Sequence, residues 1–121
     1  MPKKALIVDD SVTIRQMVSF TLRQAQFEVV EAENGADALK KLTSFAPDLI
    51  VTDLNMPVMD GLTFIRSARA LPATRYIPIL MLTTESQAAK KAEAKAAGAT
   101  GWIVKPFDPT NLLAVLGKVL P

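Results

Sequence analysis

Five short apolar runs, each followed by a segment with a helical pattern, are the feature that most constrains this chain. The runs at 6–8, 49–51 and 78–82 are continuously apolar, whereas a half-exposed strand would alternate apolar and polar residues. Continuous runs of this kind are typical of strands buried on both faces, as in a parallel sheet covered by helices. With the runs at 27–32 and 102–104, the pattern predicts an α/β fold of five βα units.

The intervening segments carry helix signals at their ends. Ser11 can cap the first helix, Gly98 suits the left-handed residue after the fourth, and Asp108-Pro109 is a strong start for the fifth. The predicted helices are 12–24, 36–44, 61–70, 86–97 and 109–119.

The connections limit the topology. Right-handed crossovers between parallel strands leave few arrangements, and we predict a flavodoxin-like doubly wound sheet with strand order 2-1-3-4-5. The 121 residues are enough for one domain with a core and too few for two ordinary ones, so residues 1–121 are expected to form a single domain. In this order the first and third strands are neighbours.

The chain contains neither cysteine nor histidine. Disulfides, thiolate metal sites, Ser-His-Asp triads and histidine-ligated zinc are therefore excluded. Any chemistry must use carboxylates, hydroxyls and lysine.

The charge and hydropathy of the chain also narrow its partners and its location. The net charge is only +2, and the 14 lysine and arginine residues are spread along the chain and not clustered in a basic stripe. We therefore expect no nucleic-acid partner. No apolar run approaches the roughly 18 residues of a membrane span, so no membrane insertion is expected. The first apolar run is interrupted at Asp9, too soon for a secretory signal, so we expect a cytoplasmic location.

Polar residues follow the strands at the points where they end. Asp9 and Asp10 follow the first strand and Asp53 follows the third, so the predicted topology places three carboxylates in one cleft. Such a cluster needs a cation, and hard oxygen ligands indicate Mg²⁺. Thr83 and Lys105 reach the same edge from the fourth and fifth strands, which favours a site for a phosphoryl group, with Asp53 as the nucleophile that forms an acyl phosphate.

Each of these residues also has an ordinary structural interpretation. Asp9-Asp10 can be a solvated turn, Thr83 a helix cap and Lys105 a surface charge. The fold class also allows a flavin-binding flavodoxin, although acidic residues after the first strand would repel the flavin phosphate. A Mg²⁺-dependent aspartyl-phosphate phosphatase shares the residue types, but its nucleophile follows the first strand.

Several motifs together resemble the receiver domain of bacterial response regulators over essentially the whole chain. The resemblance implies that Asp53 accepts a phosphoryl group from the phosphohistidine of a sensor histidine kinase. The matching motifs are Asp9-Asp10, Asp53-Leu54-Asn55-Met56-Pro57, Asp60-Gly61, Thr83 and Lys105-Pro106-Phe107.

The resemblance also implies roles for the other site residues. Mg²⁺ would be bound by Asp10, Asp53 and the main-chain carbonyl of Asn55, with Asp9 acting through water. The same resemblance implies that Lys105 and Thr83 contact phosphoryl oxygens and that the Lys105-Pro106 peptide is cis.

Two segments further resemble the stand-alone chemotaxis regulators of the CheY type. That resemblance implies a CheA-type kinase and a flagellar motor switch protein as partners, and a switch in which Thr83 and an aromatic residue on the fifth strand move on phosphorylation. The aromatic position, usually Tyr or Phe, is Trp102 here, and simple surface packing is its alternative role. Asn55 and Glu85 are expected to modulate dephosphorylation. The matching segments are 82–85 and 101–107.

We therefore expect a monomeric signalling switch rather than an enzyme, with no output domain after Pro121 and with a phosphatase among its candidate partners. The alternative within the same family is a phosphorelay intermediate or phosphate sink that binds no motor.

The last helix has an unusually wide apolar face. At about 100° per residue its apolar residues span roughly 160°, wider than a minimal core-facing stripe. Leu113 and Val115 lie at the edges of this arc. Half exposure as part of a partner surface is one interpretation of these two residues, and a generous core is the favoured one.

Overall fold

Strands and helices alternate through all the residues that the computed structural model describes, which are 3–84, 87–106 and 108–120. The strands form one parallel sheet in the order β2-β1-β3-β4-β5, which confirms the predicted flavodoxin-like topology. The elements are β1 (Lys4–Val8), α1 (Val12–Gln24), β2 (Glu28–Ala32), α2 (Gly35–Lys41), β3 (Leu49–Thr52), α3 (Gly61–Ala70), β4 (Ile79–Thr83), α4 (Ala88–Ala97), β5 (Gly101–Val104) and α5 (Pro109–Val119).

The sheet register determines which residues meet at its carboxyl edge. Val8 of β1 pairs with Thr52 of β3, so the next residues, Asp9 and Asp53, leave the sheet side by side. The amide of Asp53 still donates to the carbonyl of Val8 at 2.9 Å. The two acids are therefore adjacent because of strand pairing.

The core lies on both faces of the sheet. On one face α1 and α5 cover residues such as Ile7, Val51 and Leu82, and on the other α2, α3 and α4 cover residues such as Leu6 and Ile50. All four residues of β3 and all five of β4 are buried. This two-sided burial is the reason that these strands read as continuous apolar runs.

Helix boundaries agree with the sequence patterns except at the end of α2. The prediction of a helix over 36–44 was wrong there, because α2 ends at Lys41. The amides of Thr43 and Ser44 donate to carbonyls three residues earlier, which is a tighter turn than the α-helix. For α4 the described helix starts at Ala88, and part of its predicted first turn lies outside the described residues.

The wide apolar face of α5 is only partly covered. Leu112 and Leu116 are buried, whereas Leu113 is 42% exposed and Val115 is half-buried. The exposed-edge interpretation therefore holds for Leu113, whereas Val115 packs against the core. Over the described ranges, every helix falls short of the length and apolar character that crossing a bilayer requires.

Candidate functional site

Three carboxylates meet at the carboxyl edge of the sheet. Asp9 and Asp53 are 2% and 7% exposed, whereas Asp10 is open to solvent. One carboxylate oxygen from each lies within 4.8 Å of the others. The structure therefore brings together the three acids that were predicted to share a cleft.

The ammonium of Lys105 lies between the two buried acids. Its Nζ atom is 3.0 Å from Oδ2 of Asp9 and 3.3 Å from Oδ2 of Asp53. Lys105 directly follows β5, and its amide donates to the carbonyl of Thr83 at 2.7 Å. The Lys105-Pro106 peptide is cis, as the resemblance implies. A residue distant in sequence thus supplies the positive charge that the buried acids need.

Main-chain amides hold the other oxygen of each buried acid. Oδ1 of Asp9 accepts a hydrogen bond from the amide of Ser11 at 2.9 Å. Oδ1 of Asp53 accepts one from the amide of Leu54 at 2.7 Å. Each buried carboxylate is therefore oriented by an amide on one oxygen and an ammonium on the other, which fixes its direction before any ligand arrives.

The surroundings of the site raise the pKa values of both Asp9 and Lys105. Burial raises the pKa of Asp9, and the charge of Asp53 adds to this, although the Ser11 amide and Lys105 act in the opposite direction. Burial alone would lower the pKa of Lys105, but its hydrogen bond to Asp9 and the charges of both acids outweigh burial and raise it. Because the fold favours the protonated form of Asp9, its contribution to stability falls as pH rises past the ordinary carboxyl pKa.

The donor set fits a hard divalent cation. Three carboxylates and one ammonium leave two negative charges when all four groups are ionised. The oxygen ligands are those that Mg²⁺ prefers. The residues present therefore fit Mg²⁺ in both charge and ligand chemistry.

The other predicted site residues occupy less direct positions. Thr83 is fully buried at the end of β4 and touches the site through the main-chain bond from Lys105. Asn55 is exposed in the loop after β3, and the ligand role of its carbonyl stays a prediction. Glu85 lies outside the described residues.

Trp102 lies on β5 and packs against α4. Its half-buried ring contacts the core of the α2–α4 face, and Nζ of Lys91 lies 6.0 Å from the ring centroid. Its Nε1 atom is buried without a hydrogen-bond partner among the described residues. The ring also lines a cavity of about 270 Å³ together with Lys91, Ala94, Lys95, Ala99, Thr100 and Gly101. Trp102 is therefore part of the α4–β5 packing, and its switch role stays a prediction.

Arg15 is a residue near the site that was missed from the sequence. The guanidinium of Arg15 donates to the carbonyl of Asp9 at 2.5 Å. Helical side chains lean toward the N-terminus of their helix, so an arginine one turn into α1 can reach back to the acidic turn. Its spacing after Asp9-Asp10 was the available signal.

Gly61 belongs to the matching motif Asp60-Gly61, but its packing role was missed, because α3 passes directly behind Asp53 at this residue. A Cβ atom there would lie 2.2 Å from the carbonyl oxygen of Asp53 and 2.8 Å from Cα of Leu54. The amide of Gly61 also donates to the carbonyl of Leu54 at 2.8 Å. A glycine in the first turn of a helix, where it lowers helix propensity, was the signal for this close approach.

We expect Gly61→Ala to destabilise the protein by about 2 kcal/mol, because the new methyl group meets backbone atoms that cannot move away without shifting Asp53. Gly117→Ala in α5 is the matched control, since no described atom lies within 4 Å of its Cβ position, and we expect a gain of about 0.5–1 kcal/mol from helix propensity. Urea unfolding measures both. Equal effects of the two substitutions would contradict the close approach at Gly61.

Known proteins match this chain over nearly its whole length. The sequence model of the family described as "Response regulator receiver domain" matches residues 5–117. The chemotaxis protein CheY1 of Helicobacter pylori strain J99 is 43% identical over 119 residues, which are 97% of this chain and 96% of that protein.

Solved structures share the fold. Chemotaxis protein CheY4 of Vibrio cholerae has a TM-score of 0.95 and 51% identity, over 99% of this chain and 100% of that one. The receiver domain of sensor histidine kinase PA1611 of Pseudomonas aeruginosa has a TM-score of 0.89 and 25% identity, over 98% of each chain. That second structure has a magnesium ion coordinated in its active site cleft. The residues matched by the family model include Asp53 and Lys105.

Proposed function

This chain belongs to the response regulator receiver family, and from that premise we propose that it is a signalling switch that accepts a phosphoryl group on Asp53. The observation that carries the proposal is the ammonium of Lys105 between the carboxylates of Asp9 and Asp53, with Asp10 beside them. An oriented nucleophile, a fixed cation and a set of acids are the parts that phosphoryl transfer uses.

The transfer step runs from a phosphohistidine of a sensor histidine kinase of the CheA type to this aspartate. A carboxylate oxygen of Asp53 attacks phosphorus, the bond from phosphorus to the histidine nitrogen breaks, and that nitrogen keeps the electron pair and takes a proton from solvent. The product is an acyl phosphate on Asp53. Catalysis rests on orientation, because the amide of Leu54 and the ammonium of Lys105 already fix the carboxylate.

Two residues of this chain would contact the transferred group. Lys105 bonds to Oδ2 of Asp53 before transfer, so its ammonium is within reach of oxygens carried by that side chain afterwards. Thr83 would supply a hydroxyl donor from the end of the neighbouring strand β4. Both would stabilise negative charge on phosphoryl oxygens.

Asp10 and Asp53 would hold Mg²⁺ together with the main-chain carbonyl of Asn55, and Asp9 would act through a water molecule. When bound, the ion supplies positive charge opposite the phosphoryl oxygens. The acidic cluster and the magnesium-containing receiver domain of Pseudomonas aeruginosa support this assignment.

Signalling output would use the surface around Trp102. Lys91 and Lys95 lie at the α4–β5 cavity, and both are cations, so the surface favours a partner segment with acidic residues. The chemotaxis relatives support a flagellar motor switch protein as that partner. The cytoplasmic location, the monomeric state, and the roles of Asn55 and Glu85 in dephosphorylation stay predictions.

The phosphorylation proposal is tested with Asp53→Asn, and Asp48→Asn is the control. In the wild-type protein the carboxylate of Asp48 accepts a hydrogen bond from the amide of Lys4 at the opposite edge of the sheet. We expect the wild-type protein and Asp48→Asn to gain one phosphoryl group from a small phosphoramidate donor, as intact mass shows, and only with Mg²⁺. Asp53→Asn lacks the nucleophile and should gain none. Beryllofluoride with Mg²⁺ should change the fluorescence of Trp102 in the first two proteins only.

A phosphoryl group retained in Asp53→Asn would refute the assignment of the acceptor. Steady hydrolysis of a phosphate monoester over many turnovers would instead indicate a phosphatase, because dephosphorylation of Asp53 by itself also releases phosphate from a phosphoramidate.

The output proposal is tested by binding of an acidic peptide from a motor switch protein, with and without beryllofluoride. We expect tighter binding with beryllofluoride, and a loss of about tenfold when both Lys91 and Lys95 are replaced by glutamate, because the charge complementarity is reversed. Lys118 is an exposed lysine on α5, and Lys118→Glu is the control. This variant should bind the peptide as the wild-type protein does. No binding in any state, with normal phosphorylation, would favour a phosphorelay intermediate or phosphate sink.

A further inference from the structure

Arg15 is a cation held against the turn formed by residues 9–11, here called the acidic turn. Its hydrogen bond to this turn is made to a main-chain carbonyl and not to a carboxylate. Its Nη1 atom donates to the main-chain carbonyl of Asp9 at 2.5 Å, and its side chain is only 14% exposed. The carbonyl that it binds belongs to the peptide unit joining Asp9 to Asp10. A hydrogen bond there restrains the plane of that peptide, and with it the direction in which the chain continues to Asp10.

The same turn is held at two other points. The amide of Asp9 donates to the carbonyl of Ala32 at 3.2 Å, and the amide of Ser11 donates to Oδ1 of Asp9 at 2.9 Å. Neither bond touches the peptide unit between Asp9 and Asp10. Among the contacts of the described residues, the bond from Arg15 is the one that acts on that unit from a side chain.

Glu31 holds the guanidinium in place. Its carboxylate lies 3.4 Å from Nε of Arg15, and the two side chains are 30% and 14% exposed. Glu31 is itself fixed, because it pairs with Ile7 in the sheet and its carbonyl accepts from Nζ of Lys41 at 2.5 Å. Lys41 in turn pairs with Asp37 at 3.1 Å. The support for Arg15 thus extends through β2 to α2.

We infer that Arg15 is a positioning residue for the acidic turn, with Glu31 as its support. By fixing where Asp10 lies, Arg15 would set the affinity of this turn for Mg²⁺. The inference rests on the proposed function, since it takes Mg²⁺ as the ligand of this turn. A supporting hydrogen bond to a metal ligand commonly changes metal affinity by about 10–100-fold.

Charge and positioning make opposite predictions for one substitution. Removing a cation close to the acids should strengthen Mg²⁺ binding if charge alone decides. Removing the group that orients the turn should weaken it. Arg15→Gln therefore separates the two explanations by the sign of its effect, and Arg15→Lys keeps the charge while losing the planar fork that contacts two groups at once.

The experiment is a Mg²⁺ titration followed by amide chemical shifts. We expect Arg15→Gln to bind Mg²⁺ about tenfold more weakly than the wild-type protein, and Arg15→Lys about three- to tenfold more weakly. Arg23→Gln, an exposed charge at the other end of α1, is the control and should leave the affinity unchanged. In metal-free protein, the Asp10 amide nitrogen should shift in both Arg15 variants and not in the control, which a general loss of stability would not produce.

Unchanged or tighter binding by a folded Arg15→Gln protein would overturn the inference while leaving the proposed function intact. A wild-type protein that binds no Mg²⁺ would contradict both. If the Arg15 variants do not fold, the Mg²⁺ affinity of Glu31→Gln is compared with that of Glu33→Gln. Glu33→Gln is the matched control, because it removes a nearby exposed acid that does not pair with Arg15. A greater loss of Mg²⁺ affinity in Glu31→Gln supports the inference, and equal losses overturn it.

Discussion

The contact of one ammonium with two buried carboxylates is the interaction on which the rest of the site depends. Without Lys105, Asp9 and Asp53 would be like charges held side by side by the pairing of β1 with β3, at an edge where they are almost fully buried. Burial makes such repulsion costly. The cation directly follows the edge strand β5, so the site exists only when β1, β3, β4 and β5 are assembled in this order.

This arrangement gives one small domain the parts that the proposed phosphoryl transfer would use. The raised pKa of Asp9 shows that burial is not fully offset by its partners, and the acids together keep an excess of negative charge. Groups with perturbed pKa values are concentrated at functional sites, where stability is given up for reactivity. Such an excess of negative charge favours binding of a divalent cation, and in the proposed function the oriented carboxylate of Asp53 is the nucleophile that this cation would serve.

The fold and most of the site could be predicted from the sequence, because both follow from short-range patterns. Continuous apolar runs identified the buried strands, and a parallel sheet necessarily brings Asp9, Asp53 and Lys105 to one edge. The end of α2 and the close approach at Gly61 could not be read in this way. The first depends on a local competition between turn geometries, and the second on a distance between α3 and the end of β3 that no periodicity records.

The most direct test of this account measures the pKa of Asp9 in metal-free protein by carbon-13 titration of its carboxylate, in the wild-type protein and in Lys105→Met. The ammonium lowers this pKa through a hydrogen bond and through its charge, so its removal should raise the pKa of Asp9 further above the ordinary carboxyl value. Lys95→Met, an exposed lysine on α4, should leave it unchanged. An Asp9 pKa that stays the same or falls in Lys105→Met would contradict the claim that this ammonium holds the site together.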